Sequence, residues 1–284
     1  MMIVNRFIAI CLIISLFSAC KQKQSKEQVK THTYTKTLTD TLSRDISNPN
    51  EHMVMAVVYQ QTAGEYRALC FQAYNLARFM LDRDLDNKKV NMPRCVVMDI
   101  DETVLDNSPY EAKCILEKLV YPNKWADWIS KASAKPVPGA LDFLKYARSN
   151  GVEVYFVTNR KENERASTVD NLKSAGFNAV DADHLLMRGE TSSKEIRRAT
   201  IKATRHISLL FGDNLADFSD AFDGKLSVQD RFNDVEKLKK EFGTRFIILP
   251  NAMYGDWEGA VYDNDYSLSD STKKIKRYNS LTGF

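Results

Sequence analysis

Histidine is scarce in this chain, with four in 284 residues, all scattered. No Cys/His spacing suits zinc, which excludes the usual zinc site. A surplus of one charge is also missing. There are 40 basic and 37 acidic side chains, a formal net charge of +3, and no basic block interleaved with aromatics. That balance excludes a nucleic-acid binder. The apolar run at the N-terminus, Phe7 to Phe17, is shorter than the roughly 20 residues that a membrane-spanning helix needs. No internal repeat is present, and no low-complexity stretch lies beyond the N-terminal segment. Cysteine numbers five. Cys95 lies in an expected core strand and reads as a plain buried thiol. Cys70 and Cys114 remain available to each other in an oxidising compartment, and the sequence leaves their pairing open.

The N-terminus has the layout of an export signal. Asn5 and Arg6 precede the apolar run, and the small pair Ser18-Ala19 leads directly into Cys20. Small residues before a cut mark a secretory signal, and the cysteine after them resembles a bacterial lipobox. Residues 1–19 are therefore expected to be removed and Cys20 to be lipidated. Residues 20–48, rich in Lys, Gln and Thr, are expected to form a flexible tether. The implied location is the bacterial cell envelope, lipid-anchored at the outer membrane or periplasm. With 44% hydrophobic residues, residues 49–284 have ample material for a core.

Asn48-Pro49 suits a helix start. Helical periodicity then runs through Val54, Val57, Val58, Leu69, Ala73, Leu76, Ala77 and Met80, predicting two helices or one broken near Gly64 that ends in a solvated Asp82-Arg83-Asp84 turn. Tyr59, Tyr66, Phe71, Tyr74 and Phe79 read as packing residues. From residue 95 strands and helices alternate. Strands are expected at Cys95–Met98, Val152–Val157, His184–Met187, Ile207–Phe211 and Phe246–Leu249. Helices are expected near Gly139–Ser149, Asn163–Ala175, Ser192–Ala203, Leu215–Phe222 and Val235–Phe242. Such alternation predicts an α/β fold with a mainly parallel sheet and helices on both faces. The segment of about 106–136, with Tyr110, Tyr121, Trp125 and Trp128, breaks the alternation and reads as a small cap over the strand ends. The tail from Tyr266 reads as a polar surface extension.

The first strand runs straight into Asp99-Ile100-Asp101-Glu102-Thr103. The C-terminal rim of a parallel sheet is where such folds bind ligands. Asp99 can attack phosphorus and ligate a hard cation; Asp101 can give and then take a proton. An Asp pair that merely caps a turn is the structural alternative. Thr158-Asn159-Arg160 closes another strand and can cradle phosphate oxygens or cap a helix. Lys194 can neutralise phosphate, whereas Arg197 and Arg198 read as a solvated helix face. Gly212-Asp213 ends a further strand. Asp99, Asp213 and the Asp101 carbonyl would form an all-oxygen site suited to Mg²⁺.

Taken together, Asp99-Ile100-Asp101-Glu102-Thr103-Val104-Leu105-Asp106-Asn107, Thr158-Asn159-Arg160, Lys194, Gly212-Asp213-Asn214-Leu215-Ala216-Asp217-Phe218 and Leu249-Pro250-Asn251-Ala252-Met253-Tyr254-Gly255 resemble the haloacid dehalogenase (HAD) superfamily, DDDD group. The likeness is greatest to the class C acid phosphatases, among them the lipoprotein e(P4)-type 5′-nucleotidases. It covers residues 50–262 and implies a three-layer α/β/α fold and an aspartyl-phosphate mechanism. Asp99 would be the nucleophile and Asp101 the acid and base. Asp99, Asp213 and the Asp101 carbonyl would hold Mg²⁺, with Asp217 ordering its water shell, and Thr158, Asn159 and Lys194 would bind phosphate. Trp125 and Tyr254 would sandwich a nucleobase, with Tyr110 and Trp128 as weaker candidates, and the chain would form a homodimer. Two other readings stay open: a phosphohydrolase for other small esters such as sugar phosphates, and a non-enzymatic surface lipoprotein on the same scaffold.

Overall fold

Helical periodicity from Val54 is interrupted at Ala63, whose backbone is extended (φ −79°, ψ 128°). Two helices result, α1 (Val54–Thr62) and α2 (Gly64–Leu85). This computed structural model describes residues 48–178 and 183–284; the expected signal, Cys20 and nearly all of the tether lie outside them. Asn48-Pro49 does not open a helix directly, since a turn and the 3₁₀ segment Glu51–Met53 come first.

Further along are β1 (Arg94–Met98), β2 (Leu105–Asp106), α3 (Ser108–Glu117), α4 (Trp125–Ser130), β3 (Lys135–Pro136), α5 (Ala140–Ser149) and β4 (Glu153–Lys161). Then come α6 (Arg165–Ser174), β5 (Leu185–Arg188), α7 (Glu195–Lys202), β6 (His206–Gly212), α8 (Val228–Leu238), β7 (Phe246–Ile248), α9 (Asp256–Val261) and α10 (Asp270–Asn279). The expected helix at Leu215–Phe222 is instead two 3₁₀ turns. The helix expected at Val235–Phe242 starts earlier, at Val228, because Ser227 and Asp230 form a reciprocal capping box. The tail carries α10, a helix with no buried residue.

Five parallel strands form one sheet in the order β5-β4-β1-β6-β7. The chain runs from β1 outward to β5, then returns to build β6 and β7 on the other side. The order therefore reverses between β1 and β6, and that switch point is where an open α/β sheet leaves a crevice. Strand residues alternate between two cores, as a period of two requires. Val96, Met98, Val154, Phe156, Leu209 and Phe211 pack with α2 and α5 residues such as Tyr74 and Phe143. Cys95, Val97, Tyr155, Val157 and Leu210 face the other way, onto Ile201 and Phe218. The architecture is α/β/α in three layers.

Tyr74 ties the larger core to the site. Its ring stacks on Phe211 at 5.7 Å, and its hydroxyl donates to the Thr103 carbonyl at 2.7 Å. Tyr66 is buried too, but Tyr59, Phe71 and Phe79 are exposed rather than packed. Asp82-Arg83-Asp84 is not a solvated turn. Helix α2 continues through it, and Asp84 accepts from Arg94, Ser208 and His206. Ser208 is the extra residue where the β1–β6 register shifts, so the bulge serves that contact. Cys70, Cys95 and Cys114 are all free, buried thiols. Among the described residues no helix is long and apolar enough to cross a membrane.

Candidate active site

The ends of β1 and β6 are laced together, the Asp99 amide donating to the Phe211 carbonyl at 3.0 Å. Asp99 and Asp213 thus leave adjacent strands side by side. Asp217 joins them from the 3₁₀ turn that follows. One carboxylate oxygen from each of the three lies within 4.8 Å of the others. Gly212 permits this approach, because a Cβ there would overlap the Asp217 side chain.

Lys194, at the N-cap of α7, reaches into the same group. Its Nζ pairs with Asp99 Oδ1, and with Asp217 Oδ1 at 2.6 Å. The Asn214 amide donates to Asp217 Oδ2 at 3.0 Å, and Asn251 Nδ2 donates to Asp213 Oδ2 at 2.8 Å. Three carboxylates against one ammonium leave two negative charges, the charge that a single divalent cation would balance. The all-oxygen donor set fits a hard cation. Asp99, Asp213 and Asp217 are grouped closely enough for their carboxylates to surround such a cation.

The crowding shows in the acidities. Burial pushes Asp99 up to about 7; Lys194 opposes this, while Asp217 and Asp101 add to it. Asp213 is held well above the carboxylate range by burial, then by Asp217 and Asp99. Burial alone would lower Lys194, but Asp217 and Asp99 outweigh it and hold its ammonium above the usual range.

Asp101 stands apart from this group. Its Oδ1 accepts from Arg160 Nη2 at 2.7 Å, Arg160 Nε at 3.0 Å and Asn107 Nδ2 at 2.8 Å. Arg160 is buried, and the charge of Asp101 overcomes the cost of that burial. Thr158-Asn159-Arg160 is not a strand-to-helix turn, because β4 runs on to Lys161. Pairing with β5 skips from Val157 to Lys161, which frees the intervening residues from the ladder. Thr158 is buried, with Oγ1 accepting from the Arg160 amide, and Asn159 is exposed.

Arg197 and Arg198 do not form a solvated face. Arg197 donates to the Thr158 carbonyl at 2.6 Å, to Asn159 Oδ1 at 2.8 Å and to the Ser193 carbonyl at 3.0 Å, stitching the β4 end to the segment before Lys194. Arg198 is buried and holds the carbonyls of Ala216 and Asp217. Residue type offered a clue, since arginine forks suit several convergent carbonyls, but periodicity placed both outside.

The aromatic candidates flank the second carboxylate by different routes. Trp125 is half-buried, edge-on to Tyr110 at 5.0 Å and to Tyr121 at 5.9 Å, with the Arg160 guanidinium 5.8 Å from its ring. Tyr254 directs its hydroxyl to Glu102 Oε2. Tyr110 is buried and donates to the Asn123 carbonyl, and Trp128 donates to Asn107 Oδ1. Glu102 is a residue that the sequence reading left without a role. It is fully buried in the left-handed region (φ 57°), and its carboxylate accepts from the Asn107 backbone, the Asn107 side chain and Tyr254. Burial, then Asp101, pushes it up to about 8.

The family model described as HAD superfamily, subfamily IIIB (acid phosphatase), matches residues 17–257. Among solved structures, the class C acid phosphatase from Bacillus anthracis is 43% identical with a TM-score of 0.80, covering 84% of this chain and 99% of that one. The same enzyme with tungstate bound aligns at 43% identity and a TM-score of 0.80, covering 83% and 98%. Acid phosphatase 1 of Solanum lycopersicum is 27% identical over 159 residues, 56% of this chain and 57% of that protein. Vegetative storage protein 2 of Arabidopsis thaliana is 24% identical over 185 residues, 62% and 66% respectively. The chain thus spans under two thirds of these two curated relatives.

The weakened acidity of Asp99 makes a linked prediction. The folded chain keeps a proton that the unfolded chain, with an ordinary value of 3.8, has released. Metal-free protein should therefore lose stability as pH rises from about 4 towards 7, where the folded state binds more protons. A divalent cation takes the proton's place, so its stabilising shift should grow across the same window. Thermal melts at stepped pH, with chelator and with added Mg²⁺, check this; a shift independent of pH contradicts it.

Proposed function

The chain belongs to the acid phosphatases of HAD subfamily IIIB, and from that premise we propose that it hydrolyses small phosphate monoesters, nucleoside 5′-monophosphates foremost, with Mg²⁺ as its cation. The observation that carries this reading is the convergence of Asp99, Asp213, Asp217 and Lys194 at the β1–β6 switch point. A nucleophile beside a cation-binding group and a fixed ammonium is what phosphoryl transfer requires. The tungstate complex of the Bacillus anthracis enzyme is consistent with oxyanion binding in this fold.

In this mechanism Asp99 attacks phosphorus, forming an aspartyl-phosphate, while Asp101 protonates the departing oxygen and later deprotonates the water that hydrolyses the intermediate. Lys194, Thr158 and Asn159 receive the phosphate oxygens. Asp99, Asp213 and the Asp101 carbonyl would hold Mg²⁺, with Asp217 beside them steadying Lys194. The cation would spread the charge of the phosphate and reduce its repulsion by Asp99. Arg160 orients Asp101, and Arg197 sets the spacing between the two phosphate-binding segments.

A nucleobase is proposed to stack against Trp125 and Tyr254, since any base offers a π-face. Their existing contacts also support the other reading, in which both only pack: Trp125 leans on Tyr110 and Tyr121, and Tyr254 is tied to Glu102. The sugar-phosphate alternative follows if they do. A charged nucleotide crosses a membrane poorly, so an envelope phosphatase with residues 1–19 removed, Cys20 lipidated and residues 20–48 as tether would free the nucleoside for uptake. A second copy is proposed to cover the apolar groove of about 910 Å³ between α2, α8 and the edge strand β7, where Leu69, Leu76, Phe232, Ile248 and Trp257 are exposed.

Four measurements test these assignments. Asp99→Asn should lower kcat on p-nitrophenyl phosphate by at least about 1,000-fold, the scale of losing a nucleophile; unchanged activity would sink the mechanism, and no activity in the unaltered protein would favour the non-enzymatic scaffold. On the same preparations, Trp125→Ala and Tyr254→Ala should impair a nucleotide far more than a sugar phosphate, and equal losses favour packing alone. In cell fractionation Cys20→Ser should move the protein from membranes to the soluble envelope fraction; an unaltered distribution rules out the lipid. In analytical ultracentrifugation the soluble body should sediment as a dimer, and Phe232→Glu should return it to monomer. A wild-type monomer at micromolar concentration refutes the pairing.

A further inference from the structure

Asn107 sits at the N-cap of α3 but makes no side-chain cap there. Its amide is used elsewhere. Trp128, on the cap helix α4, donates Nε1–H to Asn107 Oδ1 at 2.8 Å. An indole nitrogen can only donate, so this contact fixes which end of the amide is oxygen. The amide nitrogen must then face the opposite way, and its two hydrogens go to Asp101 Oδ1 at 2.8 Å and Glu102 Oε2 at 3.1 Å.

The consequence falls on Asp101. Its Oδ1 accepts three N–H groups, one from Asn107 and two from Arg160. Among the described residues its Oδ2 accepts only the longer share of Arg160 Nε, at 3.3 Å. An oxygen ringed by three donors has no lone pair left for a hydrogen of its own. We propose that Trp128, acting through Asn107, is a positioning residue that makes Oδ2 the oxygen of Asp101 that delivers the proton. This rests on the assignment of Asp101 as the general acid.

The step balances as follows. An Asp99 oxygen bonds to phosphorus as the bond from phosphorus to the ester oxygen breaks. The electron pair of that bond stays on the ester oxygen, which takes the proton from Asp101 Oδ2. A neutral alcohol leaves, and Asp101 is left as a carboxylate. Without the Trp128 N–H the Asn107 amide oxygen loses the donor that sets its tilt, the bond from its nitrogen to Oδ1 slackens, and the proton is shared between two oxygens of which one is misdirected. A residue of the cap thereby sets the geometry of proton transfer at the sheet's rim.

Leaving-group dependence separates this from a structural role. A nitrophenolate departs with little help, whereas an alkoxide needs the proton. The quantity to measure is kcat/KM, which covers ester cleavage and not the later hydrolysis, on p-nitrophenyl phosphate and on a simple alkyl phosphate. Trp128→Phe keeps the apolar ring and deletes the N–H. Its loss on the alkyl ester should exceed its loss on the nitrophenyl ester by about 10-fold, the scale of one hydrogen bond. Asn107→Leu, which cannot hold Asp101 at all, should show the same bias or a larger one. Equal losses on both esters in these variants overturn the inference. Asp101→Asn is the control for the premise: it should be biased against the alkyl ester by about 100-fold or more. If it is biased and the other two are not, only the relay is wrong; if it is unbiased, the acid is misassigned and the relay falls with it.

Discussion

Repulsion among buried carboxylates is the constraint that the rest of the molecule answers. Asp99, Asp213 and Asp217 converge within 4.8 Å at the edge of a sheet, and Asp101 and Glu102 follow directly in the chain. Charges so placed are costly unless paired. Each has its own partner: Lys194 for Asp99 and Asp217, Asn251 for Asp213, Arg160 for Asp101, and Asn107 with Tyr254 for Glu102. These five partners come from four stretches of chain, three of them distant in sequence from the carboxylates that they hold in the β1 loop. Holding them together is the work of the core beneath.

That core explains why the cluster does not relax outward. Phe211 precedes Gly212, the last residue of β6, and its ring packs against Tyr74 and Phe143 at 5.7 and 4.7 Å. Tyr74 in turn clamps the Thr103 carbonyl just beyond the Asp pair. Strand ends anchored by aromatic packing leave little freedom to the carboxylates that they carry, and such rigidity is what preorganised electrostatics needs. The two negative charges left when all three carboxylates are ionised are then a standing demand for a divalent cation, and the weakened acidities of Asp99 and Asp213 express that demand as bound protons.

The cap is coupled to the same rim by polar contacts, not by packing alone. Trp128 reaches Asn107, and the Arg160 guanidinium lies between Asp101 and the Trp125 ring. Aromatic residues that the sequence suggested as stacking or packing surfaces thus also join the hydrogen-bond network around Asp101. A buried polar network of this kind tolerates few alternatives, since each unsatisfied member would carry its full desolvation cost.

The sequence by itself determined the layers and the rim. Short, mainly apolar runs, Cys95–Met98 leading into Asp99 and Ile207–Phe211 leading into Gly212-Asp213, need burial on both faces and so dictate a parallel sheet with carboxylates at its edge. Local patterns also located the break near Gly64 and the helix that follows Gly139. Only the tertiary structure decided where the cations go. Arg160, Arg197 and Arg198 are indistinguishable from solvated arginines by periodicity, because what draws them inward is carbonyl and carboxylate groups from other segments. Asp84 was hidden for the same reason, its partners Arg94, Ser208 and His206 being non-local. Apolar burial is written in local spacing, but pairing of charge depends on which distant segments meet, and that is settled only when the chain has folded.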